Sequence, residues 1–360
     1  MAEPAQEAPD TGAVWSAQDT TPGEIEEALR HLLQEQHARD GAAAPARVLN
    51  LVVVLDRDWR GEIMNRLEQV GRYHASRTIL CAVEPGRTTI DASVVMTMEG
   101  DTRPGELMLT RERVMLTVGE KHLPRLDTIV DPVVVTDLPT VVWSPHGHAE
   151  AVDALLQLAQ VVLIDSVNEP DPESALRRAK ELSEGAYVVD LAWLRTTPWR
   201  ERVAATFDPP RFRDELLHID SVTVRHRPQS GVAGLLFIGW LASRLGWGSG
   251  SLLAAQGAVR GTVKAHRHDV TLALEPMAEQ EVPGLAGIEI GTSSGMSISL
   301  DRGPGGLVAS RRDRKGREQS WTVLGASRGE GGILGEGIRQ ALLRDPTYRG
   351  ALDCGEALLR

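Results

Sequence analysis

The 360-residue sequence contains only two cysteines, Cys81 and Cys354, far apart in the chain. A disulfide framework or a cysteine-based zinc site needs more cysteines at closer spacing, so neither is predicted. Cys81 lies in the apolar stretch TILCAV, where we expect a small buried side chain. Cys354 lies near the C-terminus, and we expect it to be the more accessible of the two.

Positive charge and long apolar runs are also scarce. The chain has 39 Lys and Arg against 50 Asp and Glu, a formal net charge of -11, which disfavours general nucleic-acid binding because phosphates require a basic face. The longest membrane-like run, SGVAGLLFIGWLAS, is about 14 residues long and falls short of the roughly 20 that span a bilayer. The N-terminal residues lack the charged and apolar regions of a signal peptide. We therefore expect a cytoplasmic protein that binds neither nucleic acid nor membrane.

Signatures of nucleotide and metal sites are missing. The turn after the first apolar run reads LDRDWRGE, without the glycines that let a backbone approach a pyrophosphate, and no phosphate-binding G-x-x-x-x-G-K-[ST] motif occurs. His146 and His148 flank one glycine, yet no third ligand stands at a spacing typical of a metal site. The sequence thus predicts no cofactor, no metal ion and no catalytic residue.

What the chain does have is a regular alternation of apolar runs and amphipathic segments up to about residue 208. Runs such as RVLNLVVVLD (47–56), RTILCAV (77–83), PVVVTDLPTVVWS (132–144) and VVLID (161–165) read as strands covered on both faces. Helical patterns lie between them, including 123–130, and one opens at Thr21-Pro22 with Glu24 completing a capping box. This alternation predicts an α/β domain over 21–208 with a mostly parallel, Rossmann-like sheet, preceded by a disordered tail over 1–20.

Beyond the paired prolines of FDPPRF the pattern changes. One buried helix is predicted from Gly231 to Leu245, and several half-exposed alternating segments are separated by glycine turns. Two helices are expected near the end, at about 331–344 and 350–359. Residues 209–360 therefore read as an α+β domain with an antiparallel sheet.

Aromatic residues are few at 4%, yet eight of them are Trp, and two fall in the arginine-rich segment 187–208. There, Asp190 and Thr197 are predicted to cap two successive helical turns. A four-residue spacing places Trp199 and Arg195 on one face if the helical turn runs on, and Arg200 is expected to lie likewise beside Trp193. An arginine stacked on a tryptophan either holds a domain seam together through a cation–π contact or anchors a contact with another protein. Both interpretations stay open. Exposure of the two tryptophans decides whether they contact a partner directly.

Two further groups have candidate roles in small-molecule binding. Asp56, Asp58 and Asp165 follow predicted strands and suit a crevice at the carboxyl edge of the first sheet, where a sugar-phosphate sensor or an enzyme would place its ligand. Capping and solvated turns explain these carboxylates equally well. The basic run RRDRKGR (311–317) suits a sugar phosphate but is also typical of a charged hairpin tip.

Four blocks together resemble one known family: VLNLVVVLD, DPVVVTDLPTVVWSP, DLAWLRTTPWRERVAATFD and SGVAGLLFIGWLASRLGW. They resemble the OpcA family, the glucose-6-phosphate dehydrogenase assembly proteins of actinobacteria and cyanobacteria, and the resemblance runs from about residue 21 to 345, being of the actinobacterial type. DLAW followed by TPWR is its most specific part.

The resemblance implies a non-enzymatic protein that binds glucose-6-phosphate dehydrogenase and promotes its active oligomer. Such a protein supports the oxidative pentose phosphate pathway and NADPH supply as an allosteric activator. Cyanobacterial members are associated with thioredoxin-linked control through cysteines, whereas this chain offers only Cys81 and Cys354. The resemblance supplies no catalytic or binding residue, so Trp193, Arg195, Trp199 and Arg200 are our candidates for the partner interface or domain seam. Whether the chain also forms a homo-oligomer is left open.

Overall fold

The computed structural model describes residues 13–39, 47–70, 76–99, 109–255, 257–324 and 329–360. By its internal contacts the chain divides into two compact units. The first comprises the described residues up to Leu163 together with Gly185–Tyr187, and the second comprises Ile164–Glu184 and the described residues from Val188 to Arg360. The sequence-based boundary at residue 208 stays a prediction.

Within the described residues, the elements up to Asp190 build an eight-stranded, largely parallel sheet. In chain order they are β1 (Ala13–Ala17), α1 (Pro22–Arg39), β2 (Leu49–Asp56), α2 (Arg60–Val70), β3 (Ser76–Val83), β4 (Asp91–Glu99), β5 (Leu109–Val118), α3 (Leu126–Val130), β6 (Thr140–Trp143), α4 (Ala149–Leu155), β7 (Val161–Ile164), α5 (Pro172–Gly185) and β8 (Tyr187–Asp190). The strand order is β1-β4-β5-β3-β2-β6-β7-β8. The predicted α/β architecture is confirmed.

The centre of this sheet follows from its apolar runs. β2 pairs in parallel with β3 on one side and β6 on the other, and its residues from Leu49 to Leu55 are buried. A strand that is covered on both faces and bonded on both edges has no position for a solvated side chain before its last residue. Asp56, at the carboxyl end of β2, is the first residue to leave the core.

Three details of the first sheet differ from the sequence prediction. Residues 1–12 of the predicted tail lie outside the described residues, but Ala13–Ala17 form β1, because an edge strand is held by backbone pairing with β4 and needs no apolar run. The run over 132–144 forms a strand only from Thr140, after the break at Pro139. The helix expected from residue 123 begins at Leu126, behind a 3₁₀ turn that contains Pro124.

The elements after β8 are α6 (Leu191–Arg195), α7 (Thr197–Phe207), α8 (Pro210–Arg213), β9 (Ile219–His226), α9 (Gly231–Leu245), β10 (Gly250–Ala255), β11 (Ala258–Lys264), β12 (Asp269–Pro276), β13 (Leu285–Thr292), β14 (Ser297–Gly303), β15 (Gly306–Arg312), β16 (Glu318–Leu324), α10 (Glu330–Leu342) and α11 (Tyr348–Ala357). In the described part of the chain, β9–β16 form a second eight-stranded sheet in the order β10-β11-β12-β9-β13-β14-β15-β16. The β9–β12 pair is parallel and the other neighbours are antiparallel. The expected second, mostly antiparallel sheet is confirmed.

Helix α9 provides much of the second unit's core. Its residues from Val232 to Gly239 are buried, and Gly246 ends it in the left-handed conformation with φ 65°. The inward residues of β9 alternate with half-exposed ones, as expected for a strand with one covered face.

Candidate functional site

The arginine- and tryptophan-rich segment folds as two short helices that meet at Thr196. Asp190 caps α6 as predicted, because its carboxylate accepts a hydrogen bond from the Ala192 N–H at 2.9 Å. The second cap was predicted one residue too late, since α7 begins at Thr197 and Thr196 occupies the cap position. The Thr196 hydroxyl donates to the Trp193 carbonyl at 2.7 Å and accepts from Arg200 Nε at 2.9 Å. These bonds fix the angle between the two helices.

All four candidate residues of this segment are buried. Trp193 is 2% exposed and Trp199 1%, while the arginines retain only 7% and 9% of their exposure. A direct contact with another protein requires exposed rings, and the structure has none in this segment. The candidates therefore form part of the interior of the second unit, and the domain-seam interpretation stays a prediction.

The cations in this cluster are each matched to a partner. Arg200 stacks on Trp193, with its guanidinium carbon 3.5 Å from the ring centroid, as predicted. Asp345 accepts a hydrogen bond from Trp193 Nε1 at 2.8 Å and lies 3.8 Å from Arg200. Burial lowers the pKa of Arg200 to about 10, against the opposing charge of Asp345, so the guanidinium stays charged at neutral pH.

The predicted pairing of Arg195 with Trp199 is wrong. Arg195 instead forms a two-pronged ion pair with Asp165, at 2.8 and 2.7 Å, and the cation over the Trp199 ring is Arg302, at 5.7 Å. Helical spacing misled here because the chain turns at Thr196, and because a buried guanidinium is stabilised more by a carboxylate than by a ring.

Asp190 is the most perturbed carboxyl of the cluster. It is fully buried and accepts hydrogen bonds from the Ser166 hydroxyl and N–H, from Ala192 N–H and from the Tyr348 hydroxyl. Burial raises its pKa to about 6, since the bonds from Ser166 and Ala192 only partly offset desolvation and the charge of Asp165 adds to it. A carboxyl that binds a proton in this range is a pH-sensitive element of the second unit's core.

The three candidate carboxylates of the sheet edge have different environments. Asp165 is engaged by Arg195, and Asp58 is exposed in the 3₁₀ turn after β2. Asp56 contacts two imidazoles of the loop after β6, with 2.9 Å from its Oδ1 to His148 Nε2 and 3.9 Å from its Oδ2 to His146 Nδ1. Asp56 is therefore the one of the three that the structure combines with other polar groups at the carboxyl edge of the first unit.

The basic run forms the predicted hairpin tip between β15 and β16. Gly316 turns the chain with φ 76°, and Asp313 accepts hydrogen bonds from the Lys315 and Arg317 N–H groups. Arg314 pairs with Glu215 and Arg317 with Asp313 at 2.9 Å. Arg317 is thus used within the turn, and Arg314 is engaged by a carboxylate from before β9.

A spacing that the sequence reasoning missed is Gly291-Thr292-Ser293-Ser294-Gly295, which has the G-x-S-x-G pattern of a nucleophile elbow. The structure places it in the turn between two strands, β13 and β14, whereas the elbow requires a following helix. The Thr292 and Ser294 hydroxyls donate to Glu215. The motif is therefore a hydrogen-bonded hairpin turn.

Neither thiol is activated. Burial raises the pKa of Cys81 to about 12, and burial with the charge of Asp353 raises that of Cys354, which is partly exposed as expected. Across the described residues no group of three or more His, Cys, Asp or Glu side chains is arranged to hold a metal ion. The same part of the chain contains no helix with the length and apolar character needed to cross a membrane.

Two family models match the chain, and both are described as domains of a "Glucose-6-phosphate dehydrogenase subunit". The model of the C-terminal domain matches residues 186–352, and the model of the N-terminal domain matches residues 67–181. Together the two matches cover well over half of the sequence.

Two curated relatives share the name "Putative OxPP cycle protein OpcA". The protein from Synechococcus elongatus is 28% identical over 197 residues, which is 53% of this chain and 44% of that protein. The protein from Nostoc punctiforme is 34% identical over 140 residues, which is 38% of this chain and 30% of that protein. The matched regions span less than half the length of these relatives.

Two solved structures align with most of this chain at low sequence identity. The "putative oxidoreductase yvaA" of Bacillus subtilis has 13% identity and a TM-score of 0.45, covering 86% of this chain and 96% of that one. The apo scyllo-inositol dehydrogenase of Lactobacillus casei has 10% identity and a TM-score of 0.40, covering 88% and 95%. Nothing about chemistry follows from similarity at this level.

Proposed function

This chain belongs to the OpcA family of glucose-6-phosphate dehydrogenase assembly proteins, and from that premise we propose that it binds the dehydrogenase and favours its active oligomer. The observation that carries the proposal is the pair of family models, whose descriptions name a subunit of that enzyme and which cover residues 67–181 and 186–352. The relatives' names point to the same oxidative pentose phosphate cycle. By raising dehydrogenase activity in the cytoplasm, the chain would increase NADPH supply.

The mechanism needs no catalytic group on this chain. A protein that binds the competent oligomer more tightly than the incompetent one shifts the equilibrium by the difference between the two binding free energies. A tenfold difference in affinity corresponds to about 1.4 kcal/mol, which the burial of a few interface side chains supplies. In this proposal the chain is an allosteric activator, which requires that the substrate also binds the competent oligomer more tightly.

For the buried tryptophan and arginine cluster we propose a positioning role. Trp193, Arg195, Trp199 and Arg200 would hold the core of the second unit, so their substitution would weaken binding through loss of folding. Their matched partners Asp345 and Asp165 support this, since charges paired inside the second unit are not available to another protein.

The proposal is tested by mixing the two purified proteins and measuring mass in solution by light scattering on a sizing column. We expect a complex whose mass exceeds that of either protein, and a larger share of dehydrogenase in its oligomeric form. If the two proteins elute separately at micromolar concentration and the dehydrogenase mass is unchanged, the proposed function is wrong.

A further inference from the structure

At the carboxyl edge of the first sheet, Asp56, Trp59, His146 and His148 come together from two separate parts of the chain. Asp56 ends β2 and Trp59 lies in the turn that follows, while both histidines lie in the loop after β6. After β2 the chain forms β3 on one side of it, and β6 is later added on the other side. The carboxyl edge between two such strands is the topological switch point, where open α/β sheets bind their ligands.

Trp59 is the most exposed tryptophan of the protein. All eight tryptophans lie among the described residues, and the other seven are buried or only partly open to solvent, whereas Trp59 is 49% exposed. Its ring packs against His146, with 5.6 Å between centroids and 42° between planes. A large ring that is half exposed to solvent is the kind of side chain that anchors protein interfaces.

Among the described residues, the Asp56 carboxylate at the same edge has no lysine or arginine partner. The Asp56 side chain is 48% exposed, and its ion-pair partners among the described residues are the two imidazoles. His146 Nδ1 accepts a hydrogen bond from the Asp56 N–H at 3.2 Å, so that nitrogen carries no proton. Burial lowers the pKa of His146, which keeps this imidazole neutral at neutral pH.

Two of the nearby arginines are paired with other carboxylates, since Arg57 pairs with Glu84 and Arg66 with Glu62 one helical turn away. Arg60, next to Trp59 in the chain, is exposed. The cluster therefore combines a half-exposed carboxylate with a half-exposed indole, next to the neutral imidazole of His146. This combination attracts a cation, and an arginine guanidinium fits best, since it stacks on a ring and donates to a carboxylate at the same time.

We propose that Asp56 and Trp59 form the binding site for an arginine side chain of the protein partner, with the guanidinium over the indole and hydrogen-bonded to the carboxylate. This rests on the proposed function and names part of the surface that carries it out. The net charge of -11 favours encounter with a basic surface. A pyrophosphate ligand is disfavoured at the same edge, because the turn after β2 lacks the glycine fingerprint and adds Asp58 and Glu62.

The test compares the affinity of glucose-6-phosphate dehydrogenase for the full chain and for two variants, Trp59→Ala and Asp56→Asn, by isothermal titration calorimetry. We expect Kd to rise about tenfold or more for each variant, and the Asp56→Asn complex to depend less on salt than the wild-type complex. The matched control is Leu217→Ala, an exposed apolar residue of the second unit, which should leave Kd unchanged. Circular dichroism on each variant verifies that the fold is kept.

The outcomes separate the site from the function. A wild-type chain that does not bind overturns the proposed function and this site with it. A wild-type chain that binds, with both variants binding equally well, overturns the site alone. A loss confined to Trp59→Ala also overturns it, because an arginine site requires the carboxylate.

Discussion

At the scale of single residues, Asp190 couples the stability of the second unit to pH. The folded chain retains a proton on this carboxyl up to about pH 6, whereas an unfolded aspartate has a pKa of 3.8. Because the folded state binds the proton more tightly, this residue's contribution to the free energy of unfolding is complete below pH 3.8 and is lost as pH rises to 6.

We predict that the free energy of unfolding of the wild type minus that of Asp190→Asn falls by about 3 kcal/mol as pH rises from well below 3.8 to well above 6. The two pKa values differ by roughly two pH units, and each unit corresponds to about 1.4 kcal/mol. Urea unfolding followed by tryptophan fluorescence at several pH values measures this difference. Asparagine keeps one acceptor oxygen for Ser166 or Ala192 and does not ionise, so it isolates the titration. A difference that stays flat over this range would show that Asp190 ionises normally.

Arg200 tests whether the buried cluster is structural. Arg200→Met keeps most of the apolar length but removes the cation over Trp193 and leaves Asp345 without it. We expect a loss of about 3–5 kcal/mol in the free energy of unfolding, the range for breaking a buried charge pair. Arg30→Met, which removes an exposed pair with Glu26, is the control and should change stability by less than about 0.5 kcal/mol.

The same pair of variants separates the two interpretations of the segment. If Arg200→Met leaves stability intact yet abolishes dehydrogenase binding, then the cluster contacts the partner after all and the positioning role is wrong. The expected result is that Arg200→Met loses stability and loses binding for the same reason, unfolding. Lowering the temperature should then restore both the folded state and the binding.

At the scale of secondary-structure elements, the close approach of α9 and α11 depends on Gly239. A Cβ added there would lie 2.1 Å from the Ala351 carbonyl oxygen and 2.8 Å from the Gly355 nitrogen, both backbone atoms that cannot rotate away. The two helices must therefore separate to accept any side chain at this position.

Gly239→Ala is expected to lower the free energy of unfolding by about 1–3 kcal/mol through overpacking. The same substitution at Gly61 in α2, where no atom lies within 4 Å of the added Cβ, should raise it by about 0.4–1 kcal/mol by restricting the unfolded chain. Thermal unfolding of the two variants gives the signs directly. A Gly239→Ala variant as stable as the wild type would contradict the packing described for α9 and α11.

Some elements of this fold are predictable from the sequence alone and others are not. The apolar runs of β2 and β3 and the long α9 were recognisable because burial on all sides leaves a continuous pattern. β1 was not, since its stability comes from pairing with β4. The burial of Trp193 was also hidden, because it depends on Asp345, 152 residues further along the chain. Local composition identified the cluster but not the residues, distant in the sequence, that pair with it.

Trp59 illustrates the opposite case. Its neighbour Asp56 is recognisable from its place at the end of an apolar run, but Trp59, three residues later, belongs to no motif and lies outside the tryptophan- and arginine-rich segment 187–208. The signal was present, since a bulky ring just past the end of a buried strand has no core to enter. Exposure, rather than the number of tryptophans and arginines, separates a contact residue from a packing residue.

At the scale of the whole molecule, we propose that this chain changes the state of another protein and leaves the chemistry to it. The measurement that tests this most directly is the steady-state rate of glucose-6-phosphate dehydrogenase against glucose 6-phosphate concentration, with this chain added in steps. We predict a saturable rise in rate or fall in KM that levels off once the dehydrogenase is fully bound. Superimposable curves at every concentration of the chain would contradict the proposal.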